Sequence, residues 1–127
     1  MELPQSNDKL IYVQLADWIE DEILSGTFPE GSQIPSVAEF SANFKINHLT
    51  VLKSIGILTD AGIIYKKRGI GMFVADGAEN KIRTERRNAF YKKYIVTAAA
   101  EAKKLGLELS ELLEMTERGY FDEQTDN

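Results

Sequence analysis

The 127-residue sequence contains no cysteine, one histidine and no long apolar run. Without cysteine the chain forms no disulfide and no thiolate metal site, which is typical of proteins in a reducing cytoplasm. No apolar run approaches the roughly 18 residues that span a bilayer, and the N-terminal MELPQSNDK lacks the pattern of a secretory signal. We therefore expect a cytoplasmic protein without a membrane partner.

The motifs of enzymes are missing as well. The sequence has no G-x-S-x-G, no phosphate-binding glycine-rich loop and no cluster with metal-ligand spacing. Gly69-Ile70-Gly71 is too short to be a nucleotide fingerprint. The sequence therefore predicts a protein that is not an enzyme and has no catalytic residues, no metal site and no cofactor.

Charge is unevenly distributed along this acidic chain, whose net charge is −5. Residues 45–71 carry five basic side chains against one acidic one, a local charge of +4. Residues 8–30 carry one basic side chain against six acidic ones, a local charge of −5. Because phosphate contact requires local positive charge, an acidic protein can bind nucleic acid through such a segment.

Two short helices are predicted on either side of a turn. Ser36 followed by Glu39 is a capping box that begins a helix reaching about residue 43. The turn is formed by Lys45, Ile46 and Asn47. Asn47 caps a second helix that reaches about residue 61, with Gly62 as its stop signal. The buried face of this helix is predicted to consist of Val51, Ile55 and Leu58.

A β-hairpin is predicted directly after the second helix. The β-rich run Ile63-Ile64-Tyr65 is followed by a Lys66-Lys67-Arg68-Gly69 turn and a return through Met72-Phe73-Val74. Two helices, a tight turn and a hairpin form a winged helix-turn-helix, whose second helix reads the DNA major groove.

An amphipathic helix over residues 8–24 precedes the helix pair, with Asp8 as its cap. Its apolar face is predicted to contain Ile11, Leu15, Trp18, Ile19 and Ile23. At this spacing Trp18 is interpreted as a core residue rather than as a ligand platform.

The C-terminal part is predicted to form two helices after a hinge at residues 76–78. The first runs over residues 78–105 and ends at Gly106, and the second is capped by Ser110. Residues 81–93 carry a local charge of +5, so this face could also contact phosphate. Two helices with apolar stripes need a further surface, and a second copy of the chain supplies one. The predicted dimerisation residues are Phe90, Tyr91, Tyr94, Ile95, Leu109, Leu112 and Leu113.

The chain resembles the GntR-type bacterial transcription regulators of the small YtrA-like branch. The resemblance rests on IYVQLADWIEDEILSGTFPEGSQIPSVAEFS and INHLTVLKSIGILTDAGIIYKKRGIGMFV, and it extends to a short two-helix tail. It implies a DNA-binding regulator that dimerises through the tail. Thr50 and Lys53 match positions typical of the branch. Arginines usual in the family are replaced by Ala38, His48, Leu52 and Ile70.

We therefore predict a mainly α fold with a small β-hairpin. A winged helix-turn-helix domain spans residues 1–77, and a two-helix dimerisation region spans residues 78–127. The protein is expected to be a homodimeric repressor that binds a double-stranded DNA operator. The predicted DNA-binding residues are Ser36, Asn47, His48, Leu49, Thr50, Lys53, Lys66, Lys67, Arg68, Gly69 and Gly71.

One alternative stays open at this point. A winged helix that has lost its arginines could act as a protein-interaction module through Leu49, Leu52 and Ile70. A small-molecule effector is compatible with the regulator hypothesis, but no sequence feature supports one.

Overall fold

The computed structural model describes Leu3 and residues 10–122. These residues form two compact units, one ending at Thr84 and the other beginning at Glu85. The helices and strands of the chain are α1 (Ile11–Leu24), β1 (Gln33–Ile34), α2 (Val37–Phe44), α3 (His48–Asp60), β2 (Ile64–Lys67), β3 (Gly71–Val74), α4 (Ala78–Phe90), a π-helical segment (Tyr91–Ile95), α5 (Val96–Lys104) and α6 (Leu109–Phe121).

Helix α1 supplies one wall of the core of the first unit. Leu15, Ile19 and Ile23 are buried, as their spacing predicts. Trp18 is half-buried and packs edge-on against Phe44, with ring centroids 4.9 Å apart, which agrees with its interpretation as a core residue. The prediction that Ile11 lies on the buried face is wrong: Ile11 is exposed because it lies in the first turn, before the helix reaches the core. The predicted start and cap at Asp8 lie outside the described residues.

The predicted helix-turn-helix is confirmed. Ser36 caps α2 in a capping box, in which its hydroxyl accepts a hydrogen bond from the Glu39 N–H. Lys45 adopts a left-handed conformation (φ 55°) and so reverses the chain between the two helices. The Asn47 side chain accepts a hydrogen bond from the Leu49 N–H at 2.8 Å and caps α3. Helix α3 buries the predicted face formed by Val51, Ile55 and Leu58.

The wing is a three-stranded antiparallel sheet in the order β1-β3-β2 rather than an isolated hairpin. Strand β1 has only two residues, which is too short for an alternation pattern to be read from the sequence. The predicted position of the turn is wrong: Lys66 and Lys67 lie in β2, and the chain turns at residues 68–70. Lys66 pairs with Met72 and Lys67 pairs with Gly71, so both lysines extend β2 and the turn begins after them.

The start of α4 belongs to the core of the first unit. Ala78 and Ile82 are fully buried, so Ala78 is the first helical residue and not part of an open hinge. Glu30 accepts hydrogen bonds from the N–H groups of Gly77 (2.9 Å) and Glu79 (3.1 Å), which fixes the start of α4. The division of function at residues 77 and 78 stays a prediction, since the compact unit itself ends at Thr84.

These hydrogen bonds give the start of α4 a pH dependence. The bond from the Gly77 N–H and then that from the Glu79 N–H hold the pKa of Glu30 below its ordinary value of 4.5. The ionised carboxylate therefore stabilises the fold fully above about pH 4.5, and this contribution is lost as the pH falls through the lower folded pKa. We expect Glu30→Gln to lower the melting temperature at neutral pH, by an amount that shrinks as the pH falls below about 4.5. Thermal melts across the pH series measure this difference, and a constant difference would contradict the electrostatic explanation.

The helices after Thr84 differ in two details from the prediction. The expected single helix contains a π-helical segment at Tyr91–Ile95. Its predicted end is confirmed, since α5 ends at Lys104 and Gly106 follows in a left-handed conformation (φ 75°). Ser110 does not cap the last helix. Glu108 does so, in a capping box with Glu111, because its carboxylate and that of Glu111 each accept from the other residue's N–H.

Candidate nucleic-acid interface

Helix α3 presents one face to the core and the other to solvent. His48, Leu49, Leu52 and Lys53 are exposed, and Thr50 is half-buried. Leu49 is 67% exposed and Leu52 is 38% exposed, so neither leucine contributes to the core. The first two turns of α3 therefore offer a surface of mixed chemistry: a cation, an imidazole and two aliphatic side chains.

Asn47 lies at the edge of this surface and also has a structural role. Its Oδ1 accepts the hydrogen bond that caps α3, which fixes the side-chain amide beside the helix N-terminus. The Nδ2 group is a donor in the same amide. Asn47 can therefore cap the helix and donate to a base or phosphate in the same conformation.

Lys53 is supported by α1, a contact that sequence reasoning did not find. Its Nζ lies 5.5 Å from the centroid of the Tyr12 ring, within the range of a cation–π interaction. The hydroxyl of the fully buried Ser54 donates to the Tyr12 carbonyl at 2.6 Å, which ties the first turn of α1 to α3. In the sequence, this hydrogen bond is indicated only by Ser54 itself, a polar residue on the apolar face of α3.

The wing carries its basic residues on both faces. Lys66 is paired with Met72, whereas Lys67 lies on the opposite face with its Nζ 4.6 Å from the centroid of the Phe73 ring. The rings of Tyr65 and Phe73 stack across the strands with centroids 5.8 Å apart. Arg68 and Gly69 form the exposed turn. The positive charge of the wing is thus concentrated at the end of the hairpin farthest from its attachment to α3.

An open groove of about 420 Å³ lies between the wing and the start of α2. Ser36 and Lys66 line it together with residues of the wing turn. The groove also contains Glu39, whose pKa is lowered by hydrogen bonds from the backbone N–H and the hydroxyl of Ser36. The structure thus brings together the predicted residues Ser36, Lys66, Lys67, Arg68 and Gly69 around one groove.

Gly71 has a structural requirement that does not involve DNA. Its backbone φ of 149° disfavours any residue with a side chain, and an added Cβ would clash with Nε2 of Gln33. The assignment of Gly71 as a DNA contact stays a prediction. Sequence reasoning missed Gln33 because a polar residue in a two-residue strand carries no distinguishing pattern.

The predicted dimerisation residues are exposed in the unit that begins at Glu85, apart from Leu112, which is half-buried. The Phe90 and Tyr94 rings lie 5.4 Å apart on one helix face, beside Tyr91 and Ile95. In α6, Leu109 and Leu113 lie one turn apart.

The described part of the chain has no cluster of residues that could hold a metal ion. Within the same residues, no helix is long and apolar enough to cross a membrane.

The fold and the exposed face of α3 define a winged helix-turn-helix protein. Residues 11–74 match the model of the gntR family of bacterial regulatory proteins. The chain is 31% identical to the uncharacterized HTH-type transcriptional regulator YhcF of Bacillus subtilis over 85% of its own length and 88% of that protein. The chain therefore belongs to the GntR family of transcriptional regulators.

Two solved structures extend the similarity to three dimensions. A GntR-family regulator from Bacteroides thetaiotaomicron has a TM-score of 0.76 and 37% identity, covering 87% of this chain and 96% of that one. The DNA-binding domain of AraR, solved in complex with operator ORX1, has a TM-score of 0.54 and 32% identity over 59% of this chain and 95% of that one. That AraR domain is therefore bound to operator DNA in its structure.

Proposed function

We propose that the chain is a homodimeric repressor of the YtrA-like branch that reads an operator with α3 and holds the DNA backbone with the wing. The observation that carries the proposal is the exposed start of α3. Its opposite face is buried in the core, so the helix presents His48, Leu49 and Lys53 on a rigid support. A helix of this kind enters the major groove and contacts base edges with its N-terminal residues.

The wing supplies the sequence-independent part of binding. Lys66, Lys67 and Arg68 place three cations on one short hairpin, and Ser36 lines the groove beside them. Phosphate contacts of this type fix the register of a protein on DNA without reading sequence. The wing therefore positions α3, and α3 selects the operator.

The homodimer is supported by the apolar side chains of the unit that begins at Glu85. Phe90 is 55% exposed and Leu109 is 69% exposed, and the other predicted dimerisation residues lie in the π-helical segment or in α6. Exposed apolar side chains grouped in this way are stabilised by burial against another surface. In a two-fold dimer each chain buries the same patch, and two reading helices then reach two half-sites.

The repressor assignment follows from the simplest consequence of operator binding. A dimer seated on two half-sites blocks access of other proteins to the same DNA. Several similar family members are named repressors, including the NagR protein of Bacillus subtilis.

The test is the selection of DNA fragments from a random pool by the full-length protein, followed by measurement of binding to the recovered duplex. We expect a two-fold-related pair of half-sites and an affinity that falls steeply with salt. Recovery of unrelated sequences with no enrichment would contradict the proposal.

One observation favours the alternative of a protein-interaction module. Leu49, Leu52 and Ile70 are exposed apolar side chains, and arginines usual in the family are absent from the positions of Leu52 and Ile70. Such side chains could bind a protein surface. The same selection separates the two functions, because an interaction module would enrich no operator.

Exposed leucines on a reading helix also predict the base composition of the operator. In the major groove an aliphatic side chain packs on the C5-methyl group of thymine, whereas arginine pairs with guanine. We expect A·T pairs opposite Leu49 and Leu52. Leu52→Arg should shift the preference toward guanine at the facing position, by about 1–3 kcal/mol if a bidentate pair forms.

The selected sequence logo and the melting temperature of the Leu52→Arg variant are measured together. Because Leu52 is 38% exposed, the melting temperature should change little. A logo identical to that of the wild-type protein would refute the methyl contact, and a large fall in melting temperature would place Leu52 in the core instead.

A further inference from the structure

Gln33 makes a side-chain contact that links the strand leading into α2 to the turn of the wing. Its Nε2 donates a hydrogen bond to the Ile70 carbonyl at 3.1 Å. Ile70 belongs to the turn between β2 and β3, next to Arg68 and Gly69. A single side chain of β1 therefore holds the carbonyl of a turn that lies far from it in sequence.

The register of the sheet explains how the contact forms. Gln33 is paired with Phe73, so its side chain shares a face of the sheet with Gly71, two residues before Phe73. Because Gly71 has no side chain, the Gln33 amide crosses above it to reach Ile70. A Cβ on Gly71 would clash with the Gln33 Nε2 and would displace it.

Gln33 also lines the groove, on the segment that leads to Ser36. Gln33 and Ile34 form β1, and the chain continues through Pro35 to Ser36, the cap of α2. Ile34 is buried, and β1 pairs with β3, which fixes this segment to the sheet. The backbone of Gln33 thus belongs to the segment that leads to Ser36, while its side chain holds the wing turn.

We propose that Gln33 is a positioning residue that fixes the wing turn relative to the N-terminus of α2. It presents Arg68 and Gly69 to the DNA backbone at a set distance from Ser36. This inference rests on the proposed function for its consequence in DNA binding, but the contact itself is a property of the free protein. Without it, the turn samples more conformations, and the wing binds the DNA backbone less well because ordering the turn costs entropy.

The experiment compares Gln33→Leu with wild type in two measurements. Leucine keeps the bulk of the side chain but has no amide donor. Ser32→Ala is the matched control, because it removes a side-chain hydrogen bond one residue away, from the Ser32 hydroxyl to the Pro29 carbonyl at 2.6 Å. In the free full-length protein, Gln33→Leu should accelerate hydrogen exchange of the Ile70 N–H, which bonds the Lys67 carbonyl, and Ser32→Ala should leave it unchanged.

The second measurement is affinity for the duplex that wild-type protein selects from a random pool. Gln33→Leu should weaken binding about three- to tenfold, the value of one hydrogen bond, with no change in the selected sequence. In an Arg68→Ala background the further weakening should be much smaller, because a positioning residue acts through the turn it holds.

The exchange and affinity measurements together separate a positioning role of Gln33 from a direct DNA contact. An equal weakening in both backgrounds would overturn the inference, because Gln33 would then contact DNA itself. Unchanged exchange at Ile70 would overturn it irrespective of DNA binding. If wild-type protein selects no duplex, the proposed function fails, and exchange at Ile70 alone decides whether Gln33 holds the wing.

Discussion

Replacing Leu109 and Leu113 with aspartate is expected to convert the protein into a monomer. The two leucines lie one turn apart on α6, and both are largely exposed in the single chain. Two carboxylates on this face would have to be buried unpaired in a dimer, which is strongly unfavourable. Sedimentation velocity measures the change directly, and circular dichroism checks that the helices persist.

The same variant should bind the complete operator far more weakly. A dimer binds its second half-site at the high effective concentration set by the first, which raises overall affinity by about 10²- to 10⁴-fold. The monomer loses this gain but keeps the intrinsic affinity of α3 and the wing for one half-site. Ser110→Asp is the control, since it adds a charge to the same helix outside the apolar stripe. A variant that still sediments as a dimer would show that the interface lies elsewhere.

Charge substitutions are a cleaner test of dimerisation than removal of residues 78–127. Such a truncation would also remove Ala78 and Ile82, which are buried in the core of the first unit. It would also remove Glu79, whose N–H donates a hydrogen bond to the Glu30 carboxylate. Loss of DNA binding by the truncated chain would therefore not distinguish unfolding of the first unit from loss of the dimer.

The second large effect is expected from removing the charge of the wing. In a Lys66→Ala, Lys67→Ala and Arg68→Ala triple variant, affinity should fall nearly equally for operator and unrelated DNA. The slope of log affinity against log salt should decrease by about 1 for each phosphate that the wing no longer neutralises. Binding titrations across a salt series measure both quantities for the two DNAs.

A variant with Lys103→Ala and Lys104→Ala controls for the change in net charge. Both lysines are exposed in the last turn of α5, and neither is among the predicted DNA-binding residues. We expect the control to retain the wild-type salt slope. An unchanged slope in the triple variant would mean that the wing does not contact DNA.

Local signals in the sequence were enough to predict the helix-turn-helix and the buried face of α3. Capping residues and apolar spacing are local signals, so Ser36, Asn47 and the buried face of α3 were predicted in the positions that the structure confirms. The coincidence of this helix pair with a basic hairpin indicated DNA binding, and the family similarity agrees.

The contacts that support the candidate DNA-binding surface are visible only in the folded chain. The third strand, the Gln33 contact with Ile70, the Tyr12 ring beside Lys53 and the Glu30 cap of α4 all join residues distant in sequence. No local pattern predicts such contacts, because each depends on which elements the core brings together. Periodicity and capping are set by neighbouring residues along the chain, whereas these contacts exist only after the first unit has folded.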